Sequence, residues 1–147
     1  MMSIVRDDPC TSNVSDVFSH SLPSGNSEIK PDGKQVLGHL LTARLVRIQN
    51  KKSLTDLDVF KKAINQIATK ASLSVVGSAF HLFNTPQAVS GVLLLSESHL
   101  AIHTWPEYST AVLDIFSCSS KEQCMAAMKE AVEVFQCDLY DNIITER

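Results

Sequence analysis

The segment Val89–Cys118, VSGVLLLSESHLAIHTWPEYSTAVLDIFSC, determines how the rest of the chain is interpreted. It contains three short apolar stretches separated by polar turns: Val92–Ser96, His99–Trp105 and Thr110–Ser117. The last stretch alternates between two sets of side chains, and such alternation places successive residues on opposite faces of a sheet. The segment therefore predicts three consecutive strands, with serine, histidine and cysteine residues near the strand ends.

The sequence before this segment predicts a strand, a helix and another strand. Gln35–Ile48 has a β-like second half, and a helix follows at about 54–71 because apolar residues recur there at spacings of three and four. Ser53 or Thr55 is expected to cap this helix. Ser72–Phe83 is strand-like because it is rich in branched side chains.

The sequence after the segment predicts one more helix and one more strand. The helix spans Lys121–Phe135, with Ser120 and Gln123 as a capping box, and Asp138–Ile144 forms the last strand. The order β-α-β-β-β-β-α-β favours an α+β fold, a two-layer α/β sandwich with a mainly antiparallel sheet and both helices on one face. The other face of the sheet needs a cover, and a homodimer is the economical way to supply one.

Composition divides the chain into two parts and excludes several classes of function. Residues 1–33 are polar and without apolar periodicity, which predicts a flexible N-terminal extension before a single domain at 34–147. The formal net charge of -3 arises within residues 1–32, so no basic face is expected and nucleic acid is not an expected partner. No apolar run approaches a membrane span and no secretory signal is evident, which predicts a cytoplasmic protein with no membrane partner.

The four cysteines show no metal-ligand spacing, so no metal is expected. In a chain without a secretory signal they are expected to be reduced thiols.

The central segment resembles the processing and active-site region of S-adenosylmethionine decarboxylase, of the short-chain bacterial and archaeal type. The shared motifs are VSG at 89–91, LSESHL at 95–100, IHTWPE at 102–107 and the cysteine Cys118 that closes the next strand. The resemblance implies a self-processing, pyruvoyl-dependent carboxy-lyase with a small-molecule substrate. Its product would be the aminopropyl donor for spermidine synthesis.

The resemblance also implies a role for each motif residue. The chain would cleave itself between Glu97 and Ser98, and Ser98 would become a covalent pyruvoyl group that forms a Schiff base with the substrate amine and acts as an electron sink. His103 would accept the proton during processing, and Ser90 would stabilise the processing intermediate. Cys118 would return a proton to the product carbon.

Two further residues are implied to bind substrate. Glu107 matches the glutamate that hydrogen-bonds the ribose hydroxyls, and Phe83 lies near the aromatic residue that stacks on adenine.

Taken singly, each motif residue has a plainer explanation, such as a turn serine, a packed histidine or a solvated acid. Together, at these spacings, they indicate an active site.

The chain departs from the family pattern at the edges of the expected substrate pocket. Arg44 stands where an acidic residue is usual, Ser119 stands where glycine is typical, and the turn after Phe83 is one residue longer. Two alternatives therefore stay open at this point. One is a pyruvoyl-dependent ornithine or arginine decarboxylase of the same fold, and the other is an unprocessed, non-catalytic partner protein.

Overall fold

A single antiparallel sheet forms the centre of the structure. The computed structural model describes residues 35–147, and the predicted extension at residues 1–33 lies outside them. Within the described residues six strands are hydrogen-bonded in the spatial order β2-β3-β4-β5-β1-β6. The strands are β1 His39–Val46, β2 Val75–Asn84, β3 Gln87–Leu95, β4 Ser98–Trp105, β5 Thr110–Ser117 and β6 Asp138–Glu146.

Three helices accompany the sheet in this part of the chain: α1 Lys52–Thr55, α2 Leu57–Lys70 and α3 Lys121–Phe135. The two long helices, α2 and α3, pack against each other and against the same face of the sheet, and the rings of Phe60 and Phe135 lie 6.5 Å apart between them. This arrangement confirms the predicted α+β sandwich and, apart from the extra one-turn helix α1, the predicted order of elements. None of the helices in residues 35–147 is both long and apolar enough to cross a membrane.

The helix predicted at about 54–71 is divided in two at Asp56. The backbone there is extended, and the Asp56 carboxylate accepts hydrogen bonds of 3.0 Å from the amides two and three residues further on. The prediction that Ser53 or Thr55 caps the long helix was therefore wrong. Ser53 is buried and donates instead to the carbonyl of Asn50. A carboxylate at the cap satisfies two amides and also favours the positive end of the helix.

Helix α3 has the predicted bounds but only half of the predicted capping box. The hydroxyl of Ser120 accepts the Gln123 amide at 3.2 Å, as expected. The Gln123 side chain does not reach back to Ser120, because its carbonyl oxygen accepts a hydrogen bond of 2.8 Å from the Ser117 hydroxyl. This bond ties the start of α3 to the end of β5.

Strand β3 begins earlier than predicted. The sequence indicated a strand from Val92, whereas pairing with β2 continues back to the turn, where Gln87 faces Asn84. Polar residues such as Ser90 conceal the first half of this strand from a pattern of apolar residues.

The two faces of the sheet differ in what covers them. Beneath the helices, directly paired residues form fully buried rows such as Leu93, Leu100, Ile115 and Leu41. Burial of each such side chain contributes about 1.5–3 kcal/mol. The other face, called here the uncovered face, carries no helix, yet it presents large apolar side chains. They include Phe83, Val92, Leu94, Trp105 and Ile143, each at least 38% exposed.

Candidate active site

The Glu97–Ser98 bond lies at the tip of the β3–β4 hairpin. Ser96 and Glu97 form the turn, and Ser98 is the first residue of β4. Ser98 is half-buried and pairs with Leu95 in β3 and with Ser117 in β5. The strand register thus fixes the residue on one side of the bond, while the residue on the other side belongs to the turn.

The turn after β5 contacts this bond directly. The backbone N–H of Cys118 donates to the carbonyl oxygen of Glu97 at 3.2 Å. The hydroxyl of Ser119 donates to the Glu97 carboxylate. Cys118 itself is an exposed free thiol. We call Glu97, Ser98, Cys118 and Ser119 the cleavage end.

A polar cavity of about 150 Å³ lies beside Ser98. Four serines of two segments and Gln123 of α3 contribute most of its lining, and the lining residues are Ser72, Leu73, Ser74, Leu95, Ser96, Glu97, Ser98 and Gln123. A cavity of this size and polarity has room for several water molecules. Ser98 is therefore not packed against apolar side chains on all sides.

A second group of predicted residues meets near the other end of β4. Ser90 and His103 are direct partners across β3 and β4, and the Ser90 Oγ lies 2.8 Å from the His103 Nδ1. His81 of β2 is the next residue in the same row, and its ring centroid lies 4.4 Å from that of Phe83. Phe83 is 43% exposed. A ring in this position has a surface free for a ligand.

Glu107 completes this second group. It lies in a single 3₁₀ turn, Pro106–Tyr108, that directly follows β4, and its side chain is exposed. We call Phe83, Ser90, His103 and Glu107 the histidine end.

The buried hydroxyl of Thr104 stabilises the two strands that carry Ser90 and His103. It accepts the Val89 amide at 2.8 Å and lies within donating distance of two carbonyls, Leu54 at 2.8 Å and Val89 at 3.0 Å. Thr104 adjoins His103, and Val89 adjoins Ser90. The hydrogen bond between Val89 and Thr104 therefore holds β3 and β4 in register beside the Ser90–His103 pair. Thr104 was not among the residues that the sequence singled out. The available signal was a threonine that shares a face of β4 with the apolar residues Leu100 and Ile102.

The two ends do not meet within one copy of the chain. His103 lies five residues beyond Ser98 in β4, which is a distance of about 17 Å along a strand. The odd spacing also places their side chains on opposite faces. Ser98 has the parity of Leu100, which the helices bury, whereas His103 lies on the uncovered face. The predicted site residues thus form two separate groups in this structure.

The remaining candidates are accounted for by local contacts. Arg44, which departs from the family pattern, forms an ion pair with Asp141 at 3.6 Å, and its guanidinium lies 5.1 Å from the ring centroid of Tyr140. Burial raises the pKa of the Cys124 thiol, and burial together with the neighbouring Asp138 raises the pKa of the Cys137 thiol to about 11. Among residues 35–147, no three potential metal ligands cluster together.

Comparisons with known proteins agree with the resemblance of the central segment. The family model described as S-adenosylmethionine decarboxylase matches residues 40–147. The chain is 33% identical over 112 residues to an S-adenosylmethionine decarboxylase proenzyme of Archaeoglobus fulgidus, covering 76% of this chain and 98% of that protein. It is 32% identical over 114 residues to the proenzyme of the same name from Persephonella marina, covering 78% of this chain and 84% of that protein.

The fold has a counterpart among solved structures. The crystal structure of the adenosylmethionine decarboxylase from Aquifex aeolicus matches with a TM-score of 0.69 at 25% sequence identity. The match covers 76% of this chain and 91% of that one.

Proposed function

The chain belongs to the S-adenosylmethionine decarboxylase family, and from this premise we propose that it makes its own catalytic group by breaking the Glu97–Ser98 bond. It is a carboxy-lyase that removes carbon dioxide from S-adenosylmethionine. The observation that carries the proposal is the hydrogen bond from the Cys118 amide to the carbonyl oxygen of Glu97.

The proposed cleavage begins at that carbonyl. The Ser98 Oγ attacks the carbonyl carbon of Glu97, the C–N bond breaks, and the hydroxyl proton ends on the freed nitrogen, which leaves an ester. Removal of the Ser98 α-proton then breaks the Cβ–O bond and releases Glu97 as a carboxylate. The resulting dehydroalanine tautomerises, takes up water and loses ammonia, which leaves a pyruvoyl group at residue 98.

The Cys118 amide supports the first of these steps. Attack on the carbonyl places negative charge on the Glu97 oxygen, which already accepts the Cys118 N–H at 3.2 Å. A donor that is held in place before charge develops stabilises the transition state more than mobile water does. The polar cavity beside Ser98 provides room for the water that the last step consumes.

A pyruvoyl group at residue 98 would supply a ketone for the substrate amine and a sink for the electron pair left by departing carbon dioxide. Cys118 is proposed to hold, at its Sγ, the proton that returns to the substrate carbon. Cys118 is exposed, and its backbone amide contacts the carbonyl of Glu97, which supports this role. Glu107 and Phe83 are proposed to bind the nucleoside part of the substrate, since both side chains are exposed at the histidine end.

A homodimer is proposed because the two ends of the site need a second copy to meet. Within one chain, His103 is about 17 Å from Ser98 along β4 and cannot take its α-proton. The histidine end lies on the uncovered face, where exposed apolar side chains such as Leu94 and Trp105 favour association. A two-fold partner would bring its own histidine end to this cleavage end. The proton acceptor is then the partner's His103.

Mass spectrometry of the purified intact protein tests the cleavage. We expect two fragments, divided between Glu97 and Ser98, with a borohydride-reducible carbonyl at the head of the shorter one. Ser98→Ala should remain a single chain without decarboxylase activity. A wild-type chain that stays whole for hours, or a Ser98→Ala protein that decarboxylates, would overturn the proposal.

Release of carbon dioxide tests the substrate. S-adenosylmethionine, ornithine and arginine are supplied in parallel to the cleaved protein, and turnover is expected with S-adenosylmethionine. Turnover of an amino acid without turnover of the nucleoside would contradict the assignment.

A further inference from the structure

Glu97 is held at two points by two consecutive residues. Its carbonyl oxygen accepts the Cys118 amide, and its carboxylate accepts the hydroxyl of Ser119. Glu97 belongs to the hairpin turn and is half-buried, whereas Ser119 is exposed. The turn after β5 therefore fixes both the main chain and the side chain of the residue that precedes the cleaved bond.

This double contact bears on the geometry of the attack. The Ser98 Oγ needs the carbonyl carbon of Glu97 at a fixed angle, and rotation of the turn would change that angle. The backbone N–H of Ser96 also donates to the Ser74 carbonyl at 2.9 Å, so the first residue of the turn is held separately. Without the Ser119 contact, Glu97 itself would be held by its carbonyl alone. The second contact, from a hydroxyl to a charged carboxylate, is of the stronger kind of hydrogen bond. A residue anchored at both points rotates only by losing one of them.

We propose that Ser119 is a positioning residue for self-cleavage: its hydroxyl holds the Glu97 carboxylate and so keeps the Glu97 carbonyl on the Cys118 amide. The inference rests on the proposed function. Ser119 takes part in no bond change. The Ser98 oxygen bonds to the Glu97 carbonyl carbon, the C–N bond breaks, and the proton passes to the nitrogen, while the Ser119 hydroxyl keeps its own proton throughout.

The first-order rate of conversion of the freshly made chain into its two fragments tests the inference. Ser119→Ala and Ser119→Gly are each expected to slow cleavage about threefold to tenfold, the range set by loss of one hydrogen bond to a charged group at a partly exposed position. Ser119→Thr keeps a hydroxyl and should cleave within about twofold of the wild type. If Ser119 acted only by filling space in the turn, Ser119→Thr would not restore the rate of cleavage in this way.

A double-mutant cycle identifies the partner. Glu97→Gln weakens the same contact, and we expect the Ser119→Ala, Glu97→Gln double variant to cleave no more slowly than the slower single variant. Ser78→Ala removes an exposed serine of β2 remote from the turn and serves as the control, with cleavage at the wild-type rate. Thermal unfolding of each substitution on a Ser98→Ala background checks that the fold is intact.

Two results would overturn the inference. One is wild-type cleavage in both Ser119→Ala and Ser119→Gly, and the other is a double variant in which the two effects multiply. Failure of the proposed function would look different, because the wild-type chain itself would not be cleaved.

Discussion

The Ser90 hydroxyl and the His103 imidazole face each other across β3 and β4 with 2.8 Å between Oγ and Nδ1. This pair lies on the uncovered face, near the end of β4 opposite to Ser98. A serine that contacts Nδ1 helps to fix the ring orientation of the histidine, which in turn decides where Nε2 points. The contact therefore restrains the ring of the histidine that we propose as the proton acceptor.

Mixing two inactive chains should restore cleavage. Ser98→Ala cannot cleave, and His103→Ala should cleave at least about 10²-fold more slowly than the wild type because it lacks the base. When the two are co-expressed, a mixed dimer combines Ser98 of one copy with His103 of the other. We then expect up to about half of the His103→Ala chains to be cleaved, as random pairing of two copies requires. A mass tag on one chain identifies the cleaved species.

Co-expression of two Ser98→Ala chains with different tags is the control and should yield no fragments. If the His103→Ala chain stays as slow in the mixture as it is alone, the site does not combine two copies.

Cys118→Ala should separate processing from turnover. The substitution keeps the backbone N–H that contacts Glu97, so cleavage is expected to stay within about threefold of the wild-type rate. Loss of the thiol removes the proton donor, and kcat should fall by about 10²-fold or more. Cleavage is measured by intact mass and kcat by release of carbon dioxide. Cys137→Ala, at a cysteine remote from the bond, should keep full turnover, and unchanged kcat in Cys118→Ala would remove Cys118 from the mechanism.

Thr104→Val should destabilise the protein by about 1–3 kcal/mol, because the buried amide of Val89 loses its partner while the side-chain shape is nearly unchanged. Thr104→Ser keeps the hydroxyl and should lose less. Urea unfolding on a Ser98→Ala background, where the chain stays whole, measures the free energy of unfolding. Equal stabilities of the valine and serine variants would show that the hydroxyl contacts contribute little.

Two glycines of the sheet, Gly91 in β3 and Gly77 in the edge strand β2, should respond differently to the same added methyl group. A Cβ on Gly91 would lie 2.5 Å from an atom of the Phe60 ring and 2.7 Å from the Phe80 ring, so Gly91→Ala should cost about 1–3 kcal/mol of stability. A Cβ on Gly77 meets nothing closer than 3.8 Å, and Gly77→Ala should change stability by no more than about 0.5 kcal/mol. Thermal unfolding compares the two, and a Gly91→Ala protein as stable as Gly77→Ala would contradict the packing described here.

Cys137 should make the stability fall at alkaline pH. Burial, with help from Asp138, raises the pKa of its thiol from 9.0 to about 11 in the folded chain, so the unfolded chain loses this proton first as pH rises. Stability from this group is complete below about pH 9 and is lost as pH approaches 11. Cys137→Ala should therefore show a smaller loss of urea midpoint between pH 8.5 and 10.5 than the wild type. A loss of equal size in both proteins would exclude the thiol as the cause.

Much of the fold was predictable because local signals agreed with the tertiary structure. Helix α3 has its predicted bounds because Ser120 caps it and its apolar residues repeat with the helical period. The break at Asp56 was not predicted, because the cap was expected at Ser53 or Thr55. The early start of β3 was missed because its pairing continues through polar residues that carry no apolar signal.

The candidate site residues come from the motif, and the motif did not predict how the strands arrange them. The division into two ends follows from the odd spacing of Ser98 and His103 in β4, which places their side chains on opposite faces of the sheet. This spacing is visible in the sequence, but it was not used when all the motif residues were assigned to one site. The contacts of Ser119 and Thr104 could not be predicted, since they depend on which residues the strand register brings side by side.

The order of strands has a consequence for the protein once it is cut. The proposed break falls between β3 and β4, yet β1 of the first fragment would lie between β5 and β6 of the second. The strands of the two polypeptides would thus alternate in the sheet, and neither polypeptide could dissociate without breaking the hydrogen bonds of several strands. Under the proposed cleavage, a sheet that one polypeptide forms would afterwards be shared by two. Refolding of the two fragments from denaturant would then depend on protein concentration. In dilute solution the fragments would regain the folded structure less completely than the uncut chain.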